Sequence, residues 1–109
     1  MWYHLTEMET AVRCGINTVT VVNNNHALNQ EKHINEASYG GQTPGSDDLW
    51  IFPESDFAKI AESMGGLGLT VEKPVEFEGA LDRAIGSGRP AVIDVKTDID
   101  SITPAAWTP

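Results

Sequence analysis

The sequence predicts an α/β fold, a parallel sheet with helices on both of its faces. Three observations carry that expectation. Segments with helical spacing of apolar residues alternate with short apolar runs of strand length. Thr18–Val22 is an unbroken run of β-branched residues, the composition of a strand buried on both sides, and Ala91–Val95 reads as another strand of the buried type. Glycines stand between the segments, where chains turn.

The elements follow in order. Thr6–Arg13 reads as a helix: Leu5, Met8, Ala11 and Val12 share a face. Thr6 stands as N-cap at capping-box spacing from Glu9, and Gly15 ends the run. The strand Thr18–Val22 follows, and Asn23–Asn25 stop it. Ala27–Glu36 is open between a short helix and an irregular loop. Gly40–Asp48, rich in Gly, Ser, Thr, Pro and Asp, reads as an exposed loop.

A second helix runs from about Asp56 to Met64, capped by Ser55 or Asp56, with Phe57, Ile60, Ala61 and Met64 as its apolar stripe and Gly65–Gly66 as its end. Leu67–Val71 is a short strand. Val75–Ile85 is a third helix, with Phe77, Leu81 and Ile85 four apart, closed by Gly86–Gly88. The last strand is Ala91–Val95, and Ser101–Pro109 reads as an extended tail. The order helix, strand, loop, helix, strand, helix, strand implies crossovers between parallel strands. Ligands of such sheets bind beyond the carboxyl ends of strands, and Asn23–Leu28 lies at such an end.

The chain has 109 residues, enough for one compact domain; 40% are hydrophobic and 21% charged. Sixteen acidic residues against 7 basic ones give a net charge of -9, which phosphate backbones repel, so nucleic-acid binding is not expected. A phosphorylated cofactor stays open, because backbone amides and a metal ion bind phosphate without basic side chains. Cys14 is the sole cysteine, read as a packed, buried thiol at a helix end, and fits a reducing compartment. No basic start, signal-length apolar stretch or run approaching ~20 apolar residues is present, so the expected setting is the cytoplasm, with no membrane partner.

The three asparagines after a buried strand have two readings. Asn tolerates left-handed backbone and bonds its own backbone, as in a turn. A strand-end Asn oxygen and a following carbonyl can also serve a hard cation such as Mg²⁺, which takes oxygen ligands together with phosphates.

The neighbours bring a family into view. Thr10-Ala11-Val12-Arg13, then Thr18-Val19-Thr20-Val21-Val22, then Asn24-Asn25 resembles the second half of the thiamine-diphosphate signature. In that family a Gly-Asp-Gly turn precedes a helix like Glu7–Arg13, and a hydrophobic strand and an Asn-Asn pair follow. Asp56-Phe57-Ala58-Lys59-Ile60-Ala61 with Met64-Gly65, and Gly88–Val95, resemble the family's later helix and last strand, in the acetolactate-synthase-like branch.

The resemblance implies a partial thiamine-diphosphate-binding domain over residues 1–103, with a tail at 104–109. It implies thiamine diphosphate and Mg²⁺ as cofactors. Asn25 would supply its side-chain oxygen to the metal, Ala27 its backbone carbonyl, and Leu28 would lie near the diphosphate, while Asn24 would shape the turn. The parent enzyme would act on a 2-oxo acid, by decarboxylation or carboligation, as a homodimer or homotetramer. No catalytic residue is assigned within the chain; Glu7 and Glu9 read as solvated carboxylates. The Gly-Asp-Gly turn would fall immediately before Met1, and many relatives carry glycines at the positions of His26 and Ala27. A truncated or degenerate α/β domain that binds no cofactor is the alternative, and a general interaction module the third reading.

Other features carry less. His4, His26 and His33 lack the spacing of a zinc site. Asp47-Asp48 reads as a polar loop. Trp2, Tyr3, Trp50 and Phe52 read as core or interface aromatics. No Gly-x-Ser-x-Gly elbow supports a hydrolase.

Overall fold

A computed structural model describes residues 1, 4–41 and 44–101. The readings of Trp2 and Tyr3, and of the tail beyond Ser101, including the 104–109 boundary, lie outside these residues. The elements are α1 (Leu5–Cys14), β1 (Val19–Asn24), α2 (Asn29–Tyr39), α3 (Asp47–Trp50), α4 (Phe57–Ser63), β2 (Leu67–Val71), a 3-10 turn (Pro74–Glu76), α5 (Phe77–Gly86) and β3 (Ala91–Lys96).

The strands form one parallel sheet in the order β1-β3-β2. Side chains alternate along β3, so its two faces meet different partners. Ala91 and Ile93 join Leu69 and Val71 of β2 and Ala80 and Ala84 of α5. Val92 joins Val22 of β1, Met8 of α1, and Phe57 and Ala61 of α4. The predicted parallel sheet with helices on both faces is therefore the observed one. Val71, Val92 and Ile93 are fully buried, each contributing about 1.5–3 kcal/mol relative to an exposed side chain.

The sheet order corrects one expectation. Of the two strands read as buried, β3 is buried on both faces and β1 on one only. Among the described residues β1 pairs only with β3, and α5 packs over β3 and β2. Val22 and Asn24 are covered, whereas Val19 and Val21, on the α5 side of the sheet, are exposed. Nor do the asparagines stop the strand. Asn23 and Asn24 stay in register with Val95 and Lys96, because the β3 backbone still offers partners there.

Several local readings also shift. α1 begins at Leu5 with no side-chain cap from His4, so Thr6 lies inside the helix and Glu9 pairs with Arg13 at 3.1 Å. Gly15 ends α1 at φ 65°, a left-handed conformation that favours glycine. Cys14 is exposed, being on the solvent side of the last turn. The open segment 27–36 contains most of α2, which has no buried residue. The predicted loop ends in α3, with Asp47 and Asp48 in its first turn and Trp50 buried. In α5 the small residues Ala80 and Ala84 face the core with Phe77 and Leu81 beside them, and Ile85 is 65% exposed, since the helix approaches the sheet closely.

α4 matches its sequence pattern. Asp56 is the N-cap, accepting from the Lys59 amide at 2.9 Å, and Phe57, Ala58 and Ala61 are buried. Gly65 takes φ 89° just past the helix end.

Candidate functional site

The carboxyl end of β1 opens into the turn Asn25–Leu28, and the rest of the fold determines the shape of that turn. Phe52 N–H donates to the His26 carbonyl at 2.8 Å, and Leu28 N–H to the Trp50 carbonyl at 2.8 Å. These two bonds flank an antiparallel bridge between Ala27 and Ile51. In that arrangement Ala27 and Ile51 face each other without exchanging hydrogen bonds, so the bridge does not consume the Ala27 carbonyl. Trp50, 1% exposed, anchors the clamping segment. His26 sits at φ 56°, a left-handed conformation that costs a non-glycine residue energy. A glycine would adopt this conformation without that cost.

The asparagines divide the work. The Asn24 side chain is buried: its Nδ2 donates to Asp94 Oδ1 at 2.8 Å and to the Ser55 carbonyl at 3.0 Å, and its Oδ1 accepts from His26 N–H at 3.3 Å. Asn25 is half-buried, and its Oδ1 accepts from Ala27 N–H at 3.1 Å. That is the self-bonded turn anticipated for an Asn run. A carboxamide oxygen carries two acceptor sites, so the turn bond leaves one for a cation.

Asn25, Ala27 and Leu28 line one cavity of about 170 Å³ together with Met1, His26, Phe52, Pro53 and other residues. Asn25 also borders a second, polar cavity of about 570 Å³, shared with Asn29, Gln30 and His33. Asn29 and Gln30 open α2, whose N-terminus has no side-chain cap. In its first turn Glu31 N–H donates to the Leu28 carbonyl at 3.0 Å, and the amides of Asn29 and Gln30 are left to meet an anion. Leu28 is exposed at the junction of turn and helix. The three residues singled out from sequence are thus brought together at one strand end.

The residue that sequence reasoning passed over is Asp94. It is 0% exposed in the middle of β3. Its Oδ2 accepts from Phe57 N–H at 3.1 Å and from Lys96 Nζ at 3.0 Å, in addition to the Asn24 bond on Oδ1. A buried carboxylate is tolerable only with such partners. The available signal was a charge inside an otherwise apolar strand. Among the described residues no group of three or more His, Cys, Asp or Glu side chains converges as a metal site. Asp98 is the carboxylate that lines the larger cavity beside Asn25.

The donor set fits a hard, oxygen-seeking cation holding a phosphorylated ligand, with amide oxygens beside uncapped helix amides at the carboxyl end of a parallel strand. The fold defines the class, a parallel α/β domain with the turn Asn25–Leu28 at the carboxyl end of a strand. The sequence model of the thiamine pyrophosphate enzyme C-terminal TPP-binding domain matches residues 1–95, and the chain belongs to that family.

Similar proteins include a probable acetolactate synthase of Mycobacterium bovis, 37% identical over 92 residues, covering 84% of this chain and 16% of that protein. The acetolactate synthase large subunit of Haemophilus influenzae is 31% identical over 96 residues, covering 87% and 16%. A solved structure, the thiamine diphosphate-dependent 4-hydroxybenzoylformate decarboxylase of Rhodococcus jostii, superposes with TM-score 0.78 at 28% identity, covering 90% of this chain and 18% of that one. The chain thus spans about one sixth of the length of the curated relatives it matches. Among the described residues no helix is long and apolar enough to cross a membrane.

Proposed function

We propose that this chain carries the diphosphate-and-metal half of a thiamine-diphosphate site in an acetolactate-synthase-like enzyme. Asn25 Oδ1 and the Ala27 carbonyl would hold Mg²⁺, and the turn at Leu28 with the first amides of α2 would face the diphosphate. The observation that carries the reading is the clamped turn. The bridge between Ala27 and Ile51 leaves the Ala27 carbonyl free, and Asn25 stands at the border of two cavities.

When bound, thiamine diphosphate supplies a thiazolium carbon that stabilises carbanions. The chain's own residues would bind and orient the diphosphate end. The full protein's reaction on a 2-oxo acid, decarboxylation or carboligation in an oligomeric cytoplasmic enzyme, is proposed from the relatives' names and the family match. The same match weighs against a general interaction module.

The test uses the ¹⁵N-labelled 109-residue chain titrated with thiamine diphosphate, with and without Mg²⁺. Expected are Mg²⁺-dependent amide shifts at Asn25, Ala27, Leu28 and the first turn of α2. The affinity should be weak, on the order of 1 mM or about -4 kcal/mol, because one half-site acts alone. Shifts absent there at saturating Mg²⁺ and cofactor, or shifts centred elsewhere, would refute the assignment.

A further inference from the structure

We infer that Asp94 is a positioning residue for the metal-binding turn, acting through Asn24; the word metal rests on the function proposed above. Asp94 makes no contact with the turn itself. It reaches the turn in two steps, each a hydrogen bond.

A buried Asn amide can be placed either way round, and its neighbours decide which end points where. Asp94 Oδ1 and the Ser55 carbonyl are both acceptors, at 2.8 and 3.0 Å from Asn24 Nδ2. They impose one orientation, with the NH₂ toward β3 and Oδ1 toward the turn. Asn24 Oδ1 is thereby left to receive His26 N–H at 3.3 Å. That bond fixes the residue between Asn25 and Ala27, the one held at φ 56°.

The other carboxylate oxygen ties down the opposite wall. Asp94 Oδ2 accepts from Phe57 N–H, the first residue of α4, so the Ser55–Phe57 segment and the end of β1 share one anchor. Lys96 Nζ balances the charge at 3.0 Å and, from the rim, lies 3.9 Å from Glu54. Asp94→Asn leaves a single acceptor oxygen, which the two donors Phe57 N–H and Lys96 Nζ hold, and turns an NH₂ toward Asn24 Nδ2, so Asn24 is short of a partner and its orientation is released. Removing one partner of a buried polar pair is costly for this reason.

The experiment separates this inference from the cofactor reading because its first measurement needs no ligand. Amide hydrogen exchange is followed in the ¹⁵N-labelled 109-residue chain for wild type, Asp94→Asn, Asn24→Ala, and Ile93→Val or Ile93→Ala, whichever matches the stability loss of Asp94→Asn. Ile93 lies on the other face of the same strand and touches none of the network. Asp94→Asn and Asn24→Ala should each speed exchange at His26 and Ala27 roughly tenfold beyond the matched Ile93 variant. The double variant should add little to either, as expected when two residues act in series. Equal exchange at His26 and Ala27 in the Asp94 and Ile93 variants would overturn the inference. If Asp94→Asn does not fold, unaltered His26 exchange in Asn24→Ala overturns it equally. The second measurement is the Mg²⁺-dependent cofactor shift at Asn25. It should fall in Asp94→Asn and persist in the Ile93 variant. A wild-type chain lacking that shift refutes the metal assignment, while the exchange data still decide the role of Asp94.

Discussion

Gly68 of β2 lies so close to Ala58 of α4 that a Cβ at position 68 would come within 2.1 Å of the Ala58 carbonyl oxygen and 2.6 Å of its carbon. The obstacle is helix backbone, which cannot swing aside as a flexible side chain would. The contact seats α4, and with it Asp56 and Phe57, against the sheet at the edge of the site.

Gly68→Ala should therefore destabilise the chain by about 3 kcal/mol, at or above the usual range for overpacking. Urea denaturation measures it. A loss under about 1 kcal/mol would show that α4 can slide away from β2 without penalty.

Asp56 caps α4, and its carboxyl is held below its usual value of 3.8 by the Lys59 amide first and the Lys59 ammonium second. A lowered folded-state value contributes stability above the unfolded value, and that contribution is lost as pH falls through the folded one. Asp56→Ala should cost about 1 kcal/mol at neutral pH, the usual worth of an N-cap. Asp56→Asn should keep most of the cap but lose the part that titrates below pH 3.8. Urea midpoints at pH 7 and in the acid range test both, and an Asp56→Ala penalty that persists fully at the lowest pH would contradict the linkage.

Asn25→Ala in the complete enzyme should weaken Mg²⁺-dependent thiamine diphosphate binding at least about tenfold, equivalent to about 1.4 kcal/mol. Calorimetry reads the change. Undiminished affinity would remove Asn25 from the ligand set.

β1 has no charge or proline along its length, and Val21 is 47% exposed on its open face. Such an edge pairs readily with another chain. The 109-residue chain should associate as its concentration rises, and Val21→Lys should suppress association with little effect on thermal stability. Sedimentation velocity decides; identical concentration dependence in both proteins would clear the β1 edge of responsibility.

Much of the fold was legible because its signals are local. The β-branched runs, the Phe57–Met64 stripe, the Asp56 cap and the Gly15 and Gly65 stops each act within a few residues. The turn Asn25–Leu28 was legible for the same reason, as an Asn run at a strand end next to a family pattern. Asn24 was read as shaping the turn, and its Oδ1 does accept from His26 N–H; illegible were its partnership with Asp94 and the role of Asp94. Their bond spans seventy positions, and no local pattern tells which polar side chain will be paired in the core.

The residues alone determined which segments become helix or strand and which strand end carries oxygen donors, since backbone preference and apolar spacing are properties of neighbours along the chain. The tertiary structure decided that β3 is central and β1 half-bare. It also decided that Trp50–Phe52 clamps the turn and that a buried carboxylate orients Asn24. Strand order and hydrogen-bond partnership are settled only when distant segments compete for the same space.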